Sequence, residues 1–221
     1  MRYATLIASR NRYDLCLRAI ASAARQSVPP ELIVVVDDAS DDPRYGGLES
    51  AADVQVVRLD RPSREITGSN FAVGYVRNAG LERLAGYDGW LAFLDDDDEW
   101  LDDKAARQFA DADAGAGVIC GNAVNRTLAG EIVSLHHEFQ NGREIAPGLR
   151  DVTDLVRFLN PVINSTGLIR PDVWPRVGRQ QSVGYGEDWD WYRRAAALAP
   201  IHMVEDVVAY YTTGNAKEYE L

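Results

Sequence analysis

A chain of 221 residues that is 46% hydrophobic suits one globular domain with a sizeable core. Thirty-four acidic residues against 23 basic ones leave a formal net charge of −11, which argues against binding nucleic acid through its phosphates and against docking on anionic membranes. The first apolar run, Tyr3–Ala8, is too short for a membrane span or a signal-peptide core, so a cytoplasmic protein without an integral membrane segment is expected. Cys16 and Cys120 both sit among apolar neighbours at no metal-binding spacing, and they read as buried free thiols.

Along the chain, apolar runs of strand length alternate with segments of helical period. Tyr3–Ala8 reads as a buried strand. Leu17, Ile20, Ala21 and Ala24 then recur at helical spacing, which predicts a helix over Asp14–Gln26, closed by Pro29-Pro30. Leu32–Asp37 is an unbroken apolar run, as a strand covered on both faces would be. Val54–Leu59 is a third strand, followed by a polar loop, a helix over Phe71–Leu84 and a fourth strand, Trp90–Leu94. Beyond it come a helix over Asp102–Ala112, strands at Gly117–Val124 and Glu131–Phe139, and a short helix at Val152–Leu159. Asn164–Arg170 is strand-like, Glu187–Ala199 helical, and Val207–Tyr211 a last strand. The β-α-β alternation of the first half predicts a mostly parallel sheet flanked by helices.

Ligands of such sheets bind outside the carboxyl ends of the strands. Three polar clusters fall at those ends: Ser9 to Arg12, Asp37 to Asp42, and Asp95 to Glu99. The last opens a stretch with six Asp and one Glu between Asp95 and Asp103. Neighbouring carboxylates repel by roughly 3–4 kcal/mol per pair at an effective dielectric near 20. A divalent cation offsets that repulsion, and Mg²⁺ is commonly held by one or two carboxylates together with substrate phosphates. Asp95 to Asp98 therefore point to a metal that holds a phosphorylated ligand, whereas Glu99, Asp102 and Asp103 read as acids at a helix start. An EF-hand loop fails, because Trp100 and Ala106 stand where Gly and Glu are needed. An aspartyl-phosphate phosphatase fails on the residues that follow the cluster. A nucleotidyltransferase lacks its glycine-rich loop after the first strand, where "ASRNRYD" stands.

In order, "TLIASRNRYDLCLRAIASAARQS", "LIVVVDDASDD", "VRNAGLERLAGYDGWLAFLDDDDEW" and "GYGEDWDWYRRAA" resemble the family 2 inverting glycosyltransferases of the GT-A fold, over nearly the whole chain. The likeness departs at the first motif, where Ala8-Ser9-Arg10-Asn11 replaces the common Pro and Tyr-Asn. It implies one GT-A domain over 1–221, with about 1–100 forming the half that binds the nucleotide sugar and about 101–221 the half that binds the acceptor. It implies that Asp38 accepts a hydrogen bond from the nucleobase, that Ala8 and Ser9 border that base, and that Arg77 touches phosphate or ribose. It further implies that Asp98 binds Mn²⁺ or Mg²⁺, with Asp97 near the ribose or the metal's waters and Asp96 at a variable position. Asp188, the second acid of "GED", becomes the general base. A carboxylate at a helix start suits that task on chemical grounds as well, since a sugar hydroxyl is a poor nucleophile until its proton is taken. Glu187 would raise the pKa of Asp188 and Arg193 or Arg194 would lower it. Trp189 and Trp191 are either a platform for the acceptor sugar or core residues. None of His136, His137 and His202 is selected by a motif.

The expected reaction transfers a sugar from a UDP-, GDP- or dTDP-type donor to a saccharide, lipid-linked or small-molecule acceptor. The rivals are a nucleotidyltransferase of related fold and a non-catalytic sugar- or metal-binding module.

Overall fold

The computed structural model describes residues 1–50, 53–111, 115–135 and 150–213. Strands β1 (Tyr3–Ser9), β2 (Leu32–Asp37), β3 (Val54–Arg58) and β4 (Trp90–Phe93) lie within a residue or two of their expected positions. They pair in parallel, in the order β3-β2-β1-β4. Helices α1 (Tyr13–Ala24), α2 (Ser63–Thr67) and α3 (Val73–Arg83) connect them. The apolar runs of β1, β2 and β4 are unbroken because both faces of these strands are covered, whereas β3, at the sheet edge, is mostly half-buried. Along β1, Ala4 and Leu6 join a core built with α3, while Tyr3 and Ile7 join a second core built with α1. Along β2, Val34 and Val36 face the first core, and Ile33 and Val35 the second.

The second half extends the sheet with strands of both directions. It comprises β5 (Glu99–Trp100), α4 (Lys104–Asp111), β6 (Val118–Arg126), β7 (Ile132–Leu135), β8 (Leu168–Ile169), α5 (Trp174–Val177), α6 (Glu187–Ala196) and β9 (Ile201–Thr212). Strand β8 is antiparallel to both β4 and β6, and the order continues β4-β8-β6-β9-β5. Three expectations change here. Glu99 is in a strand rather than at a helix start, and the helix begins at Lys104. The Val152–Leu159 segment contains only a 3-10 turn, Leu155–Arg157. The Asn164–Arg170 segment divides into a 3-10 turn, Asn164–Thr166, and the two residues of β8.

The buried stripe of α1 also differs from the one expected. Cys16, Ala19, Ile20 and Ala23 face the core, while Leu17, Ala21 and Ala24 are exposed. Both sets share the helical period. The small side chains of Cys16, Ala19 and Ala23 let the helix lie close to Tyr3 and Ile7, which a Leu17 stripe would prevent.

Candidate active site

The carboxyl ends of β1 and β2 border a cleft of about 330 Å³, lined by Ala8 to Arg12, Asp38, Ser63, Asn70, Val73 and Val76. Ala8, Ser9 and Asp38 are thus brought together as expected. Ser9 is buried and its Oγ lies 2.6 Å from the Tyr45 hydroxyl. The Asp38 carboxylate accepts from the Ser63 backbone N–H at 2.5 Å and from Ser63 Oγ at 2.7 Å. Burial raises its pKa, and the Ser63 hydrogen bonds oppose the rise. Each carboxylate oxygen keeps a further lone pair for a ligand donor.

The acid loop after β4 separates into two layers. Asp96 and Asp98 point inward, at 0% and 1% exposure, while Asp95 and Asp97 are part exposed. Asp96, at the position that varies in the family, is paired with Arg12 at 2.5 Å, and Arg12 also holds Asp97 at 3.0 Å. Burial still drives the pKa of Asp96 up to about 7. Asp98 Oδ2 accepts from Ser165 Oγ at 2.5 Å and Oδ1 from the Thr212 N–H at 2.7 Å. Burial, then repulsion from Asp95 and Asp97, raises the Asp98 pKa well above the ordinary carboxylate range. Among the described residues no cation pairs with Asp98, and no three acidic, His or Cys side chains converge as a ready-made metal cage. A buried carboxylate beside like charges and neutral donors is a fit for a cation that brings other ligands, such as phosphate oxygens, with it.

Arg77, expected at phosphate or ribose, is only 5% exposed, and its guanidinium is paired within the protein. Nη2 donates to Asp95 at 2.6 Å, and Nη1 to Glu187 at 2.7 Å and Gln180 at 3.3 Å. The side chain ties the acid loop to the first turn of α6, the "GED" helix. Asp188 follows Glu187 there. Its Oδ2 accepts from Asn160 Nδ2 at 3.2 Å and its Oδ1 from the Trp189 N–H at 2.7 Å. Burial, then Glu187, raises its pKa to about 6 against the lowering effect of Arg77. The opposing cation is therefore Arg77. Arg194 instead pairs with Asp190 at 2.9 Å.

Several contributing residues had no sequence signal. Asn164 donates to Asp95 at 2.9 Å, Ser165 bonds both Asp98 and the Asp95 N–H, and Asn160 reaches Asp188. They come from the irregular segment between β7 and β8, where no periodic pattern marks a position. Trp191 is fully buried, and Trp189 donates its indole N–H to the Val156 carbonyl at 2.6 Å, so both belong to the core side of α6. His202 lies buried in β9, and His136 and His137 fall outside the described residues.

The 180–184 loop lies against α3 where Gly74 has no side chain. A Cβ there would stand 1.9 Å from the Gln181 carbonyl oxygen. Gly74→Ala is expected to destabilise the protein by about 1–3 kcal/mol, because backbone must move to admit the methyl group. Urea denaturation would detect it as a lower midpoint at unchanged slope.

The model of the family described as Glycosyl transferase family 2 matches residues 5–168. The succinoglycan biosynthesis protein ExoO of Rhizobium meliloti (strain 1021) is 33% identical over 141 residues, 62% of this chain and 38% of that protein. S. aureus TarS in complex with UDP-GlcNAc superposes with a TM-score of 0.72 at 18% identity, over 100% of this chain and 62% of that one. The mannosyltransferase PcManGT from Pyrobaculum calidifontis, in complex with GDP-Man and Mn²⁺, gives 0.65 at 16% identity, over 97% and 56%. The chain thus spans less than two thirds of each of these relatives. At such identities the two structures carry the fold alone, and that fold is GT-A.

Proposed function

This chain belongs to glycosyl transferase family 2, and from that membership we propose that it is an inverting glycosyltransferase. It takes a sugar from a nucleoside-diphosphate donor of UDP, GDP or dTDP type and passes it to an acceptor hydroxyl. The observation that carries the reading is the joining of the acid loop to the "GED" helix through Arg77, beside a cleft at the carboxyl ends of β1 and β2.

The nucleoside lies in the cleft, with its base between Ala8, Ser9 and Asp38. Asp38 orients the base by accepting an N–H, and Ser63 holds that carboxylate in place. Asp98 would hold Mn²⁺ or Mg²⁺, with Asp97 near the ribose or the metal's waters, and the ion would neutralise the charge that develops on the leaving diphosphate. Asp188 accepts the acceptor's proton as its oxygen attacks the anomeric carbon, and the nucleoside diphosphate departs from the opposite side. One displacement without a covalent intermediate inverts the anomeric centre. Asn160 and the Trp189 N–H fix the direction of the base, and a pKa near 6 suits proton abstraction close to neutral pH.

On this reading the chain is one domain, nucleotide-binding in about its first 100 residues and acceptor-binding in the rest. The acceptor is a saccharide, a lipid-linked sugar or a small molecule. We place the enzyme in the cytoplasm, a reducing compartment that suits two buried free cysteines, each with its thiol pushed up to about 12 by burial. Among the described residues no helix is long and apolar enough to cross a membrane.

A thermal-shift panel of UDP, GDP, dTDP and CDP, each with and without Mn²⁺, tests the donor site. A ligand at a hundred times its Kd stabilises by about 2.7 kcal/mol, a rise of roughly 5–10 °C for a chain of this size. The expected result is a Mn²⁺-dependent rise with one nucleotide. Cooperative melting without a shift for any of the four would defeat the reading.

A further inference from the structure

Tyr185 is 94% exposed, more than any other large hydrophobic side chain among the described residues, and Phe71 is 60% exposed. Their rings meet edge to face, with centroids 6.3 Å apart and planes at 88°. The segments that carry them are firmly joined. The Gly184 N–H donates to the Phe71 carbonyl at 3.0 Å. Asn78 on α3 exchanges two hydrogen bonds with the backbone of Gln180, at 3.0 and 2.8 Å. The position is as telling as the exposure. Phe71 follows Asn70, which lines the nucleotide cleft, and Tyr185 directly precedes Gly186-Glu187-Asp188.

We propose that Phe71 and Tyr185 form the platform on which the acceptor's sugar ring stacks. This rests on Asp188 being the base, because the platform's place is defined by that residue. A pyranose presents a face of C–H groups rimmed by hydroxyls. The electron-rich face of an aromatic ring attracts such C–H groups, and the tyrosine hydroxyl offers a polar partner at the rim. Because the rings stand at 88°, one sugar lies flat on the face of one and meets the other along its rim. Two rings are too few to seat the chain on a bilayer, and a net charge of −11 opposes an anionic one. Of the two tryptophans of α6, Trp191 is fully buried and Trp189 packs half-buried against the core with its indole N–H committed to the Val156 carbonyl, which leaves the role to the exposed pair.

Saturation-transfer NMR tests the platform with methyl glucoside, methyl galactoside, methyl mannoside and N-acetylglucosamine as probes, each with and without UDP and with and without GDP. At least one pyranose is expected to receive saturation at its ring C–H protons. Its affinity should fall about tenfold, the equivalent of roughly 1.4 kcal/mol, in Tyr185→Ala and in Phe71→Ala, and be retained in Tyr185→Phe. The nucleotide-induced melting shift should persist in both alanine variants. The proposal is overturned if no pyranose contacts the wild type, or if contact is undiminished in both alanine variants. It is also overturned if Tyr185→Ala abolishes the nucleotide shift, which would assign the rings to the donor base. A wild type without any nucleotide shift would instead defeat the transferase reading, so the two failures are told apart.

Discussion

Asp188→Asn is expected to lower turnover by about 10²–10⁴-fold, the usual contribution of a positioned general base. Asparagine keeps the size but cannot take a proton, and its single oxygen retains one of the two hydrogen bonds that Asp188 accepts. The nucleotide-induced melting shift should be unchanged, because Asp188, on α6, is not among the residues that line the nucleotide cleft. Unfolding would not explain the loss. The folded environment already disfavours the charged carboxylate, so replacing it by a neutral amide relieves a cost. At saturating metal, which keeps Asp98 deprotonated, the same group sets the acidic limb of the pH profile. A base works only when deprotonated, so wild-type kcat/KM should be level above about pH 7 and fall tenfold per unit below the pKa of about 6. Turnover of Asp188→Asn near the wild-type rate would remove Asp188 from the mechanism. An acidic limb near pH 4 would show that its burial does not persist in solution.

Lys104 should make the protein more stable as pH rises through neutrality. It is fully buried, with its Nζ 4.5 Å from the centre of the Trp100 ring and one hydrogen bond, to Gln108 Oε1 at 2.7 Å. Burial lowers its pKa from 10.5 to about 7. Between those values the unfolded chain holds a proton there and the folded chain does not, so unfolding takes up a proton and stability increases with pH. The gain is about 1.4 kcal/mol per pH unit. Lys104→Met keeps the length of the side chain and removes the titration. Relative to that variant, the wild type should gain roughly 2–3 kcal/mol between pH 7 and 9, seen as a difference in melting temperature of about 5–10 °C. Comparing the two proteins cancels every other titrating group. Parallel stability curves would mean that Lys104 stays protonated in the fold.

These residues also connect stability to the site. Trp100 donates its indole N–H to the Ser165 carbonyl at 2.6 Å, and Gln108 Nε2 donates to the Thr166 carbonyl at 2.8 Å. Both hold the turn whose Ser165 hydroxyl meets Asp98. The acid loop is thus backed by a buried polar layer, and such layers fix geometry because an unmade bond inside costs more than one in water.

Much was legible in the sequence because two physical patterns are local. Apolar runs of strand length mark strands, and where both faces are covered the run is unbroken, so β1, β2 and β4, and the half-buried edge strand β3, could be placed from their residues. Polar residues that break such a run mark a strand end. Parallel strands bring their ends to one edge, which is how Ser9, Asp38 and the acid loop could be assembled on paper. The "GED" acids at the start of α6 were equally readable, since a helix start tolerates acids that its interior would not.

Direction and partnership were beyond the local pattern. Period alone could not choose between the Leu17 and the Cys16 stripe of α1, because two stripes one residue apart share it and only the space left by Tyr3 and Ile7 decides. It could not distinguish Asp96 and Asp98 from Asp95 and Asp97, since adjacent carboxylates look alike until a turn sends alternate ones inward. Nor could it foresee that Arg77 faces Asp95 and Glu187, 18 and 110 residues away. The sequence by itself determined the fold class and the acids that gather at one edge of the sheet. Which of those acids is enclosed, which is opposed by a cation and which is aimed by Asn160 was decided only by tertiary structure, because burial and pairing depend on groups that meet through the fold and not along the chain.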